Sequence, residues 1–305
     1  MRRGPGAAEA SEGPHTRMNG RASRRIVLGL VACVLCAALP AAASAAGAKY
    51  VAMGDSYTSG PGILPYAVGA PPECGQSSLN YPHLVAAALN LSLTDVSCGG
   101  AKTEDFTVAQ YPDQPPQFDA LGESTEVVTI GMGGNDNNLF GTLVQRCSEI
   151  DTGHISTKAP CEEAYGAYAA KTLVEDKGPA EQALKEVKTI SPHAKVFVVG
   201  YPDIAPKKGT CPGKLPWTEG DLKWFRNKVE KAGDASLKAG AKANGAIYVE
   251  TFKQSEGHDI CQPVGTRWIE PLIDPLLGVP VHPNAIGEEQ DAFDVERVML
   301  NAGIR

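Results

Sequence analysis

Tyr50-Val51-Ala52-Met53-Gly54-Asp55-Ser56-Tyr57 places a short apolar run directly ahead of a glycine, an acid and a serine. A brief run that stays apolar without alternating fits a strand buried on both faces, as in a parallel sheet covered by helices. A serine on the tight turn leaving such a strand stands at the edge of the sheet, where the neighbouring glycine lets a substrate approach the backbone. That is where a nucleophile is held. The same three residues also suit an ordinary strand-to-helix turn with a capping serine, so the meaning of Ser56 depends on what the rest of the chain brings beside it.

Outward from this segment, the pattern repeats. Further short runs at Leu93 to Ser97, Val127 to Gly131, Val196 to Gly200 and Ala246 to Glu250 alternate with helical spacing over Tyr81 to Leu91, Cys161 to Lys177, Pro179 to Ile190 and Glu219 to Asn244. Strands alternating with helices predict an α/β fold, a three-layer α/β/α sandwich around a parallel sheet of about five strands. Residues 60–80, 107–119 and 136–160 lack a clear period and are expected as loops, which in such folds surround a ligand site at the strand C-termini.

The first 45 residues are expected to lie outside the domain, which spans 46–305. Six arginines precede an apolar stretch from Ile26 to Leu39, followed by Ala41-Ala42-Ala43-Ser44-Ala45-Ala46. This is the layout of a signal peptide cleaved near Ala45, and it predicts a secreted, extracellular protein. Arg24-Arg25 fits a twin-arginine signal as well as an ordinary secretory one. Leu30-Val31-Ala32-Cys33 resembles a lipoprotein cleavage box, but the apolar run continues past Cys33, which favours the later site. No later stretch approaches the ~20 apolar residues needed to span a bilayer.

The remaining chain carries 22 basic against 33 acidic residues, a net charge of about −11, which argues against a nucleic-acid partner. Six cysteines stay after the signal. In an exported chain an even number predicts disulfides, with fifteen pairings possible. Sequential pairing, Cys74–Cys98, Cys147–Cys161 and Cys211–Cys261, keeps each loop local to one segment. Zinc is the competing reading, and the absence of any C-x-x-C in the mature chain argues against a metal.

Four separated blocks fall at equivalent places. Gly54-Asp55-Ser56 follows the first strand, Cys98-Gly99-Gly100-Ala101 the second and Gly131-Met132-Gly133-Gly134-Asn135-Asp136 the third, while Val281-His282-Pro283-Asn284 lies near the C-terminus. Parallel strand ends point to one edge, so a single site can hold all four. In order, spacing and strand context these blocks resemble the SGNH hydrolases, the GDSL esterases and lipases, over about Tyr50 to Val298. The cysteine layout resembles the secreted actinobacterial lipases of that family.

The resemblance implies a serine esterase or lipase that cleaves carboxylic esters through an acyl-enzyme, with no metal or organic cofactor. Ser56 is then the nucleophile and His282 the base, with the amides of Ser56 and Gly100 and the Asn135 side chain as oxyanion donors. A serine hydroxyl needs a base to take its proton, and imidazole titrates in the right range. A neutral amide at Asn135 suits a developing oxyanion, which an aspartate would repel. The family usually carries an aspartate three residues ahead of the histidine, but that position here is Val279. A Ser–His dyad is therefore expected, with the Val279 or Pro280 carbonyl orienting the ring, Val279 being preferred; Asp274 is the alternative. Phospholipase A1 activity and polysaccharide deacetylation remain open within this chemistry. A catalytically silent binding protein is the rival from another class. Nothing suggests assembly, so a monomer is expected.

Overall fold

The computed structural model describes residues 47–151 and 155–305. The expected signal peptide, its cleavage site and Cys33 lie outside the described residues.

Five parallel strands form one sheet in the order β2-β1-β3-β4-β5, with β1 Lys49–Met53, β2 Ser92–Asp95, β3 Val127–Ile130, β4 Lys195–Val199 and β5 Ile247–Val249. β1 is flanked on both sides and runs in register with β3 from Tyr50 opposite Val127 to Met53 opposite Ile130. The chain leaves β1 toward β2 on one side and returns to β3 on the other, so the strand order reverses at β1. The crevice at such a switch point is where open α/β sheets bind ligands, and Ser56 lies in α1 (Ser56–Ser59), just past this end of β1.

Alternate strand residues feed two helical layers. Tyr50, Ala52, Phe197 and Val199 pack with Tyr81, Val85 and Leu89 of α2 (Tyr81–Leu89) and with Val295 and Met299 of α8 (Ala285–Asn301). Val51, Met53, Val128, Ile130, Val196 and Val198 pack with Leu184 and Val187 of α5 (Lys177–Ile190) and with Leu237 and Ala241 of α7 (Lys231–Ala243). This is the expected three-layer sandwich. A further apolar cluster stands beyond the sheet edge, built from α3 (Leu139–Asp151), α4 (Pro160–Glu175), α6 (Glu219–Trp224) and the buried Trp217.

Three elements differ from expectation. α3 occupies part of the stretch expected as loop: its buried Leu139, Leu143, Cys147 and Asp151 recur every four residues, but polar flanks on both sides mask that period. α8 is not legible as a helix in the sequence, because three acids, Glu288, Asp291 and Asp294, lie among its buried residues and break the apolar stripe. The helix expected over Glu219 to Asn244 is interrupted by a π-helical turn at Phe225–Glu230.

The disulfides join Cys74 to Cys98, Cys147 to Cys161 and Cys211 to Cys261. The first ties the loop after α1 to the turn that carries Gly100, and the second clips the start of α4 to α3. Among the described residues no helix is long and apolar enough to cross a membrane.

Candidate active site

Ser56 opens α1, and Asp55 caps it by accepting the Tyr57 amide at 2.9 Å. Gly54 makes this turn possible. Its φ is +155°, and a Cβ there would stand 2.3 Å from Thr58 Oγ1 and 2.9 Å from the Gly131 carbonyl, so no side chain fits. Gln117 braces the same residue from both sides, accepting from the Gly54 amide at 2.8 Å and donating to its carbonyl at 3.0 Å.

His282 meets Ser56 from the far end of the chain. Its Nε2 lies 2.8 Å from Ser56 Oγ, and its Nδ1 lies 2.7 Å from the Pro280 carbonyl oxygen. With Nδ1 as the N–H donor to that carbonyl, Nε2 is the unprotonated nitrogen facing the hydroxyl. The Tyr57 ring, 5.0 Å away between centroids, and the edge of Phe140 at 6.5 Å pack the imidazole. Burial pushes the ring's pKa below its usual 6.5, while the Pro280 hydrogen bond opposes that shift.

The carbonyl on Nδ1 is thus Pro280's and not Val279's, which corrects the preferred expectation. Val281 adopts φ +61°, and this left-handed residue turns the chain so that the carbonyl two residues before the histidine faces its ring. A β-branched residue there costs on the order of 1–3 kcal/mol and needs outside support. Tyr57 Oη supplies part of it by donating to the Val281 carbonyl at 2.5 Å. Asp274 is exposed on the preceding loop and does not take the ring nitrogen.

Asn135 and Ser56 border one cavity, while Gly100 sits on the turn after β2, outside its lining. Gly100 has φ +77° and open space beside it: a Cβ added there would meet no atom nearer than Gln110 Nε2 at 3.8 Å. Asn135 Nδ2 donates to the Ala101 carbonyl at 3.0 Å. An amide nitrogen has two hydrogens, so one remains for an oxyanion. Asp136 fastens the two loops together by accepting the Thr103 amide at 2.8 Å and the Thr103 hydroxyl.

One residue of this site carries no motif in the sequence. Tyr201, just beyond β4 at the same sheet edge, donates its hydroxyl to Asp55 Oδ2 at 2.5 Å and accepts the Gly134 amide at 3.0 Å. One phenol therefore locks the turn of Ser56 to the loop of Asn135. Burial raises the Asp55 pKa to about 6 against the hydrogen bonds from Tyr201 and Tyr57. The available signal for Tyr201 is a tyrosine directly after a strand at this edge.

The other histidines stand apart. His258 stacks on Trp268 at 3.9 Å and meets the Thr266 carbonyl, and His83 contacts Asn80 and Asp95. His193 is exposed on a turn, and His154 lies outside the described residues.

Behind Ser56 the cavity, about 110 Å³, runs between the helices and is walled by Leu139, Phe140, Leu173, Ile204, Phe225 and Val229. That wall suits an aliphatic group next to Ser56.

Residues 52–290 match the GDSL-like lipase/acylhydrolase family. The chain is 42% identical over 283 residues to Lipase 2 of Streptomyces coelicolor, covering 89% of this chain and 95% of that protein. Phospholipase A1 from Streptomyces albidoflavus superposes with a TM-score of 0.66 at 27% identity, covering 83% of this chain and 99% of that one. The extracellular lipase of Streptomyces rimosus has the same fold, with a TM-score of 0.69 at 24% identity over 84% of this chain and 100% of that one. The strand-end blocks, the parallel sheet and these likenesses agree: the chain belongs to the GDSL-like lipase/acylhydrolase family and is a carboxylic ester hydrolase.

Proposed function

We propose that the protein is a secreted lipase or esterase that transfers the acyl group of an aliphatic ester to Ser56 and then to water. The observation that carries this reading is the 2.8 Å contact between Ser56 Oγ and His282 Nε2, made while Nδ1 is held on a backbone carbonyl at 2.7 Å. His282 takes the hydroxyl proton as Ser56 attacks the ester carbonyl, then returns it to the leaving alcohol. In the second half it takes a proton from water, which attacks the acyl-enzyme and releases the acid. The amides of Ser56 and Gly100 and the free Asn135 hydrogen hold the oxyanion in each half. Preorganised donors of this kind are worth about 10²- to 10³-fold each. Nucleophile, base and oxyanion donors all come from the chain, so the reaction calls for no metal or organic cofactor. The Pro280 carbonyl fixes the tautomer and the ring direction, the part of a triad acid's work that needs no charge.

The apolar wall of the cavity favours an acyl chain over an acetylated sugar. At about 110 Å³ it is smaller than the ~150 Å³ cavity that takes up benzene, so short acyl groups fill it best. Cleavage of a phospholipid at an acyl ester is the second reading, favoured by the 27% identity to a protein described as phospholipase A1. Three disulfides support work in an oxidising compartment after loss of residues 1–45.

A p-nitrophenyl ester series from acetate to palmitate tests this directly with the oxidised protein. The expected result is Ser56-dependent turnover with kcat/KM highest at about four to six carbons and at least about tenfold lower for palmitate. Turnover that survives Ser56→Ala, or that is confined to acetate and acetylated polysaccharide, would overturn it. Mass spectrometry of the secreted protein should find an N-terminus near Ala46; a lipid on Cys33 would contradict release from the cell.

A further inference from the structure

Glu270 is fully buried twelve residues before His282, and it is the most heavily bonded group around the histidine loop. Its Oε1 accepts from Arg267 Nε and from Asn284 Nδ2, each at 3.0 Å. Its Oε2 accepts from Arg267 Nη2 at 2.9 Å and from the amides of Leu276 and Leu277 at 2.8 and 3.1 Å. Its main chain continues the pattern: the Glu270 amide donates to the His282 carbonyl at 2.8 Å, and its carbonyl accepts the Val281 amide at 2.9 Å.

One residue therefore holds Val281, His282 and Asn284 and also pins the loop that leads to them. Most of that loop is exposed, including Ile273, Asp274, Leu276, Leu277 and Pro280, and beyond Glu270 it is tied at its start, where Leu272 packs on the core and the Ile273 amide donates to the Lys214 carbonyl at 3.0 Å. A carboxylate engaged only in an ion pair needs Arg267 alone. The two loop amides and the Asn284 amide go beyond this and are all spent on the segment bearing the base. Burial would raise the Glu270 pKa, but the donors around it hold it at about 2, so the clamp stays ionised wherever the enzyme works.

We infer that Glu270 is the positioning residue for His282, doing through the backbone what the family's absent aspartate would do through a side chain. It does not touch the ring. Its carboxylate pins the loop at Leu276 and Leu277 on one side of the base and at Asn284 on the other, while its backbone ties the Val281 amide and the His282 carbonyl between them, so that the Pro280 carbonyl stays on Nδ1 and Nε2 stays on Ser56. The inference rests on His282 being the base, as proposed above. The misplacement it prevents is of the size that costs about 10²-fold in rate.

The decisive variant is Arg267→Met with Glu270→Met. Replacing both partners of a buried pair by apolar side chains of similar length keeps the fold, whereas removing one leaves a buried charge unpaired. The expected result on p-nitrophenyl butyrate is a kcat about 30- to 100-fold lower with KM within about twofold, and an equal slowing of Ser56 labelling by a fluorophosphonate. In nitrogen-15 histidine-labelled protein, the downfield Nδ1 proton resonance of His282 should broaden or vanish. A merely structural pair would lower the melting temperature and leave both the kcat-to-KM split and that resonance unmoved, and this result would overturn the inference. Should the double variant fail to fold, Leu277→Pro removes one donor to Oε2 and should lower kcat about fivefold; no change would overturn the inference equally. The resonance is read without turnover. If the unmodified protein's activity survives Ser56→Ala, the acyl-enzyme reading fails, while the hold of Glu270 on the ring is still decided by the spectrum.

Discussion

The two halves of the proposed active site are held in opposite ways. The nucleophile and oxyanion half is built from three loops at adjacent strand ends, and side chains lock the loops to one another: Tyr201 joins Asp55 to Gly134, Asp136 joins Thr103, and Asn135 joins Ala101. The histidine half comes from a loop beyond the sheet, and its ring is oriented by the Pro280 carbonyl, with Val281 between them in a costly conformation. In the first half geometry is inherited from the sheet. In the second it is imposed by contacts from Tyr57 and Glu270. The base half is therefore the more delicate one, and perturbing each half separately should show it.

The largest effect is expected at the meeting point. His282→Gln removes the base and should lower kcat for p-nitrophenyl butyrate by about 10⁴-fold, leaving turnover that no longer rises with pH near neutrality. On the other side, Asn135→Ala should cost about 10²- to 10³-fold in kcat with little change in KM, because the lost donor acts on the oxyanion and not on the bound ester. Tyr201→Phe keeps the ring and cuts only the bridge between the two loops; about a tenfold loss in kcat, measured by the same assay, is expected from the loosened Asn135. A loss as large as that of Asn135→Ala would mean that the hydroxyl itself touches the reacting atoms.

The smallest effects sharpen the picture of the histidine half. His282 must be neutral to accept the serine proton, and burial lowers its pKa. Activity therefore rises with pH through a midpoint below 6.5, and a kcat/KM profile with its acid limb above about 7 would contradict the neutral-carbonyl orienter, since a carboxylate partner would raise the ring's pKa. Asp274→Asn should leave kcat within about twofold, because Asp274 is exposed and Pro280 occupies the ring nitrogen. A loss of ~10³-fold there would restore a triad.

The same contrast explains what can be read in the chain. Strand β1 with Ser56, the turn with Gly100 and the loop with Asn135 are local: a short strand followed by a glycine-bearing turn announces each one, and parallel strand ends bring them to one edge. The orienting carbonyl is not local in that sense, because every residue has one and only the fold of the loop chooses Pro280 over Val279. Tyr201 is illegible because its partners Asp55 and Gly134 lie far away in sequence, and Glu270 because nothing around it in sequence shows that its carboxylate folds onto the histidine loop. α8 is hidden by its own buried acids, which erase the apolar period that marks a helix.

The central claim is that Ser56 is made nucleophilic by His282 held on a backbone carbonyl. Peptide mapping after treatment with a fluorophosphonate tests it most directly, run in parallel on the unmodified protein, His282→Gln and Asp274→Asn. The expected result is one adduct, on Ser56, formed rapidly in the unmodified protein and in Asp274→Asn and lost in His282→Gln. An adduct on another serine, or one on Ser56 that disappears in Asp274→Asn, would contradict it.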